Sequence, residues 1–141
     1  MEDYTNEIKM IENGLVITLL LIIIIILVPS FTKMIDKSMQ LAAQTNTTNN
    51  IKMVKEMYIM SNLTDVVSLP FKVVYNNDGY KIYSNGKEYT KKGNIIVEKT
   101  RNLPSGGSIE IETNGNVIVK NLKFGKYKCN QINTKQPICE K

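Results

Sequence analysis

The sequence predicts an α+β protein: a long N-terminal hydrophobic helix, read as a membrane anchor, that continues into an amphipathic helix packed on an antiparallel β-sheet head. Three observations predict it. Residues 15–28 form an apolar run with one polar side chain, Thr18, and no charge. Residues 31–60 repeat apolar side chains at three- and four-residue steps. From about Val66 the pattern changes to alternation, punctuated by glycine-containing turns. The chain then divides into a leader-like segment (1–7), a transmembrane or filament-core helix (8–31), an amphipathic helix (32–62) and a β head with a C-terminal cysteine loop (63–141).

Residues 15–28 would span only about 21 Å as a helix. Extending the helix over residues 8–31 covers a bilayer core, and takes in Lys9, Glu12 and Asn13. The flank before the run is acidic, and no small-residue cleavage site follows it, which argues against a secretory signal. The segment therefore reads as an uncleaved anchor. A charge facing hydrocarbon costs about 2.5 kcal/mol or more unless it snorkels or finds a partner. Glu12 accordingly belongs at the water boundary or against a partner in an assembly. Pro29 lacks an amide proton, so it kinks or loosens the helix at that point.

After the anchor, Phe31, Met34, Ile35, Met39 and Ala42 continue a helix with one apolar stripe. Ile51, Val54, Met57, Tyr58 and Met60 resume the period, with Lys52, Lys55 and Glu56 on the other face. Between them QTNTTNN (44–50) is poor in helix formers, and the helix is expected to break or fray there. In the head, FKVVY (71–75) and YKIY (80–83) flank the hairpin signal NNDG (76–79). SNGK (84–87) marks the next turn. NIIVEK (94–99) and SIEIE (108–112) read as further strands, separated by the breaker loop RNLPSGG. TNGN (113–116) turns into VIVKNLKFG (117–125). The expected order is an antiparallel meander covered by the second half of the helix.

Charge is unevenly distributed within the net +5. Residues 1–29 carry one lysine against four acids, and residues 30–141 carry 17 basic residues against nine acids. A basic head suits nucleic acid, teichoic-type polymers or lipid headgroups, or is simply a solvated surface. The chain has no His, hence no usual neutral-pH general base, and no nucleophile–base pair or metal cluster is visible. The expectation is a protein that is not an enzyme and carries no cofactor or metal. Cys129 and Cys139 fit no common zinc spacing. They form either a disulfide closing a small loop, which requires an oxidising compartment, or two buried thiols. Flank charges (Lys9 against Lys33 and Lys37) point weakly to a cytoplasmic head, and a cysteine bridge points outside. The bridge decides the expectation: a single-pass protein with a cytoplasmic N-terminus and an extracytoplasmic head. Lys120, Lys123, Lys126 and Lys128, interleaved with Phe124 and Tyr127, are candidate DNA contacts through phosphates and stacking. The alternative is a strand with one solvated face.

A glutamate entering an apolar helix at Glu12, a proline 17 residues later at Pro29, and a strand-rich head together resemble the type IV pilin and pseudopilin family. IKMIE (8–12), preceded by Glu7, stands where that family has FTLIE preceded by Gly. The segments FKVVYNNDGYKIYSNGKEY and SGGSIEIETNGNVIVK look like the heads of minor pseudopilins, closest to those of competence systems and to the H-type pseudopilins of type II secretion. The resemblance implies a leader junction between Glu7 and Ile8, followed by methylation of the new amine. It implies that Glu12 neutralises a neighbouring subunit's N-terminal amine, and that Pro29 helps helices pack. It also implies a non-enzymatic filament subunit for DNA uptake in transformation. The implied partners are the major and other minor pseudopilins, a membrane platform protein and a prepilin peptidase. Two departures stand out: Glu7 replaces the glycine that precedes the scissile bond, and the leader is acidic. A secretion or adhesive pilus would use the same parts. A bitopic membrane protein with an extracytoplasmic binding domain that never polymerises is the reading from outside the family.

Overall fold

A computed structural model describes residues 2–90, 102–133 and 135–141. Helix α1 runs Glu2–Thr64. Seven strands follow: β1 (Phe71–Asn76), β2 (Gly79–Ser84), β3 (Lys87–Tyr89), β4 (Gly107–Ile111), β5 (Val117–Phe124), β6 (Tyr127–Ile132) and β7 (Ile138–Glu140). One long apolar helix followed by an antiparallel sheet is the α+β layout that the sequence predicts. The chain divides into two compact units, residues 1–39 and 40–141.

In the first unit α1 opens with Glu2 and Asp3 in its first turn, where carboxylates complement the amide end of the helix. Its apolar residues from Ile8 to Phe31 are all at least 41% exposed. The stripe of Phe31, Met34, Ile35 and Met39 is exposed as well.

In the second unit α1 buries Ala43, Thr47, Asn50, Ile51, Val54, Met57 and Ser61, one face at helical spacing. Of these, Ala43, Ile51, Val54 and Met57 share a core with Phe71, Val73 and Tyr75 of β1, Ile109 and Ile111 of β4, and Val119 and Leu122 of β5. Tyr58 packs its ring 5.4 Å from that of Phe71. The break expected at residues 44–50 does not occur: α1 passes through them. Thr45, Thr47 and Thr48 donate their hydroxyls to the carbonyls of Leu41, Ala43 and Gln44, one turn back, and Asn50 Nδ2 donates to the Asn46 carbonyl. The three threonine hydroxyls, which would otherwise compete for the backbone, are satisfied inside the helix. Burial of Thr47 and Asn50 against the core then outweighs their low propensity.

The sheet order is β3-β2-β1-β4-β5-β6-β7, all antiparallel. It differs from a plain meander, because β4 returns to pair with β1 while β3 stays at the far edge. The predicted strand 94–99 lies outside the described residues. Alternation works as expected. Phe71, Val73 and Tyr75 point into the core, and Lys72 and Val74 point away; Ile109 and Ile111 point in, and Ser108 and Glu110 point away. The NNDG signal forms the β1–β2 turn, with Asn76 Oδ1 accepting from the Asp78 amide at 3.0 Å. Asn85 and Gly86 both take positive φ (49° and 76°), the backbone that a two-residue hairpin between β2 and β3 requires. The lysine-rich stretch read as one strand is instead a hairpin, with β5 and β6 joined at Gly125 and Lys126.

Cys129 and Cys139 form a disulfide. They are register partners on β6 and β7, both fully buried, with Cα atoms 4.1 Å apart. So close a pair is of the non-hydrogen-bonded type, which turns the Cys139 carbonyl away from β6 toward the sheet edge. Gln40 of α1 donates its side-chain amide to that carbonyl at 2.8 Å. The cysteine loop thus ends in an edge strand stapled on one side and partly capped on the other.

Candidate functional site

Two surfaces carry the residues that the sequence singles out, one in each unit. The first is the apolar wall of α1. Glu12 is exposed at its entrance, and Glu7 and Ile8 lie within the same helix, also exposed. Every described hydroxyl hydrogen bond along the wall stays within the helix: Thr18 donates to the Gly14 carbonyl at 2.8 Å and Ser30 to that of Ile26. These side chains hide their polarity from whatever surrounds the helix. Pro29 sits inside α1 without interrupting it, and Thr32 donates to its carbonyl at 3.0 Å. Having no amide proton, Pro29 leaves the Ile25 carbonyl without its usual helical donor. The helix is long and apolar enough to cross a membrane. Its apolar side chains lie all round the cylinder, which suits lipid or other helices.

The second surface is the sheet face turned away from α1. In register across it run Lys72 with Tyr83 and Glu110, and Val74 with Lys81, Ser108 and, through β4, Lys120. Lys72 pairs with Glu110 at 3.8 Å and Lys81 with Glu88 at 3.7 Å. Both pairs are partly solvated and so contribute little to stability. A bulge between Val119 and Leu122 turns both Lys120 and Asn121 outward. Asn121 takes φ +50°, and its amide donates to Asn130 Oδ1 at 2.9 Å. Gly107 faces this bulge, and a Cβ there would run into the Asn121 carbonyl, so the close approach requires glycine.

The structure brings together three of the four candidate lysines. Lys120, Lys123 and Lys128 surround a shallow depression of about 550 Å³, joined by Lys72. Lys126 does not belong to it: it lies on the β5–β6 turn, its ammonium 5.7 Å from the centroid of the Tyr127 ring. The interleaved aromatics are also withdrawn. Tyr127 is 4% exposed, and Phe124 is half-buried against the core. Tyr127, and in part Phe124, are thus drawn into packing with the core. Lys72 was missed; its only signal was its outward place in the alternating FKVVY. On the core side, burial and the neighbouring Tyr80 push the Tyr75 phenol well above its ordinary range. Its hydroxyl has no hydrogen-bond partner among the described residues.

Among the described residues, no group of three or more His, Cys, Asp or Glu side chains is placed to hold a metal ion. No protein-family model, curated protein or solved structure matches this chain.

Proposed function

We propose that this protein is a membrane-anchored minor subunit of a type IV pilus-like filament, a pseudopilin, that serves DNA uptake in transformation. One observation carries the reading. A helical run apolar on every side over residues 15–28, with Glu12 just before it, belongs to the same chain as a packed antiparallel head. Such a helix is stable in lipid as a monomer and among sister helices in a filament core. In lipid Glu12 can stay at the water boundary, but inside a filament core it is costly until it meets a positive charge. An amine at the start of a neighbouring helix supplies one if the chain is cut between Glu7 and Ile8. Partners in this reading are the major and other minor pseudopilins, the membrane platform protein and the prepilin peptidase. The head faces away from the cytoplasm, and the buried disulfide suits that side. Lysines of the sheet face contact the DNA.

The test pairs Glu12→Gln with cysteine crosslinking along residues 15–28, in cells making a major pseudopilin. The unsubstituted chain should give heteromeric ladders. Glu12→Gln should reach the membrane in equal amount and lose at least nine-tenths of the crosslinked product. Equal ladders from both chains would refute the assembly role.

A second reading is favoured by Glu7, which stands where the cleavage motif of the family has glycine. It is a bitopic membrane protein whose head binds a ligand and which never polymerises. N-terminal sequencing separates the two, since a start at Ile8 belongs only to the filament subunit.

A further inference from the structure

We infer that the lysine-lined depression on the open sheet face binds the phosphate backbone of duplex DNA through Lys120, Lys123 and Lys128, without reading bases or stacking on them. The inference rests on the DNA-uptake reading only for its choice of DNA among phosphodiester polymers.

The charge arrangement is the first argument. Lys123 and Lys128 are direct register partners on one face of β5 and β6. Like charges placed opposite each other destabilise a sheet. Elsewhere on this face the protein pairs its lysines, Lys72 with Glu110 and Lys81 with Glu88. Lys120, Lys123 and Lys128 have no such ion pair among the described residues, although Glu140 is in register beside Lys128. An anion lodged between them would relieve the repulsion.

The second argument is placement. The bulge and its Asn130 bond hold Lys120 outward. Lys123 is held by its own backbone, which accepts from the Ser105 amide and donates to the Gly106 carbonyl, both at 3.0 Å. Its stem lies over Gly106, where a Cβ would come within 3.4 Å of the Lys123 Cδ. Three lysines thus line a depression that also takes in Gly106, Gly107 and Ser108.

The third argument is what the depression lacks. Among the described residues its lining includes neither an aromatic ring on which an unpaired base could stack nor an arginine fork for a guanine edge. Ammonium groups on flexible stems recognise phosphates by charge alone. Duplex DNA presents these without needing its bases unstacked.

The test uses the full chain, one copy per nanodisc of neutral lipid, so that filament assembly does not enter. Fluorescent 20-base-pair duplexes of two unrelated sequences should bind within about twofold of each other. With three phosphates neutralised, affinity should fall about 40-fold between 50 and 200 mM salt, a log–log slope near −2.7. The triple variant K120Q/K123Q/K128Q should lose most of that slope and at least tenfold in affinity at 50 mM salt. Lys→Arg at the same three positions should retain binding and guards against a folding defect. Lys55→Gln, on the exposed face of α1, should leave binding unchanged. Equal binding by the triple variant overturns the proposal. So does tenfold tighter binding of single strands, which would require stacking, and so does binding of polyglycerol phosphate without binding of duplex.

Discussion

Residues 1–39 and residues 40–141 use the same apolar alphabet for opposite ends. In the first unit Ile22, Ile23, Ile24, Ile25 and Ile26 follow one another, so the apolar surface wraps the whole helix and stays exposed. In the second unit α1 keeps its apolar and small residues to one stripe, from Ala43 to Ser61, and buries it under the sheet. A stripe can be satisfied by the chain's own strands, whereas a full cylinder needs a surrounding supplied from outside. The contrast extends to polar groups. Along the apolar wall, Thr18 and Ser30 bond back to their own helix. Gln40, Asn50 and Asp65 at the head reach to Cys139, Asn102 and Tyr89. Along the wall the polar side chains bond within their own helix, whereas in the head they tie one element to another.

A charge placed in each region breaks the comparison most sharply. Val54→Asp puts a carboxylate into the apolar core, where exposure is 0%, and should leave the head unfolded. Leu21→Asp, at the middle of the apolar run, should leave the head's melting temperature in detergent unchanged. It should instead reduce membrane insertion, at a cost of about 2.5–3.5 kcal/mol. Thermal melts beside carbonate extraction of membranes read both effects. Loss of insertion by Val54→Asp alone, or of head stability by Leu21→Asp alone, would erase the division.

A smaller effect is expected at the staple. Replacing Cys129 and Cys139 together by alanine should lower head stability by about 2–3 kcal/mol in denaturant titrations. The arm's insertion should not change, because the bridge joins only β6 and β7.

The smallest expected effect is at Tyr75. Its folded-state phenol is held above the ordinary value of 10.0, chiefly by burial and secondly by Tyr80. Below pH 10 the phenol is protonated in both folded and unfolded chains, and the buried ring's contribution is intact. Above it the unfolded chain releases the proton first, so head stability should decline as pH rises through 10 to 11. Tyr75→Phe should make that decline shallower. At pH 7 it should change stability by no more than about 1 kcal/mol, in the stabilising direction, since the lost hydroxyl has no partner among the described residues. Denaturant titrations at pH 7, 9 and 11 would show it.

Much of the head was legible because alternation and turn chemistry are local. FKVVY and SIEIE declare their buried faces residue by residue, and NNDG and SNGK place two hairpins. Residues 44–50 misled because propensity counts only the isolated helix; the gain from burying Thr47 and Asn50 belongs to the sheet. The β5–β6 hairpin was hidden because Gly125 and Lys126 make a weak turn signal inside a basic stretch. The tail strand of three residues, Ile138–Glu140, has no periodicity of its own, and only the bond between Cys129 and Cys139 reveals its register.

The order of residues alone determined the apolar cylinder, the lone acid at its entrance and which side of each main strand turns inward. These follow from spacing, because the helix and the strand each impose a fixed period on neighbouring side chains. Tertiary structure decided the return of β4 to β1, the burial of Tyr127 and the meeting of Lys120, Lys123 and Lys128 around one depression. Those outcomes depend on pairing between segments far apart in the chain, where the free energy of closing loops and filling a shared core selects among registers that local pattern leaves equal.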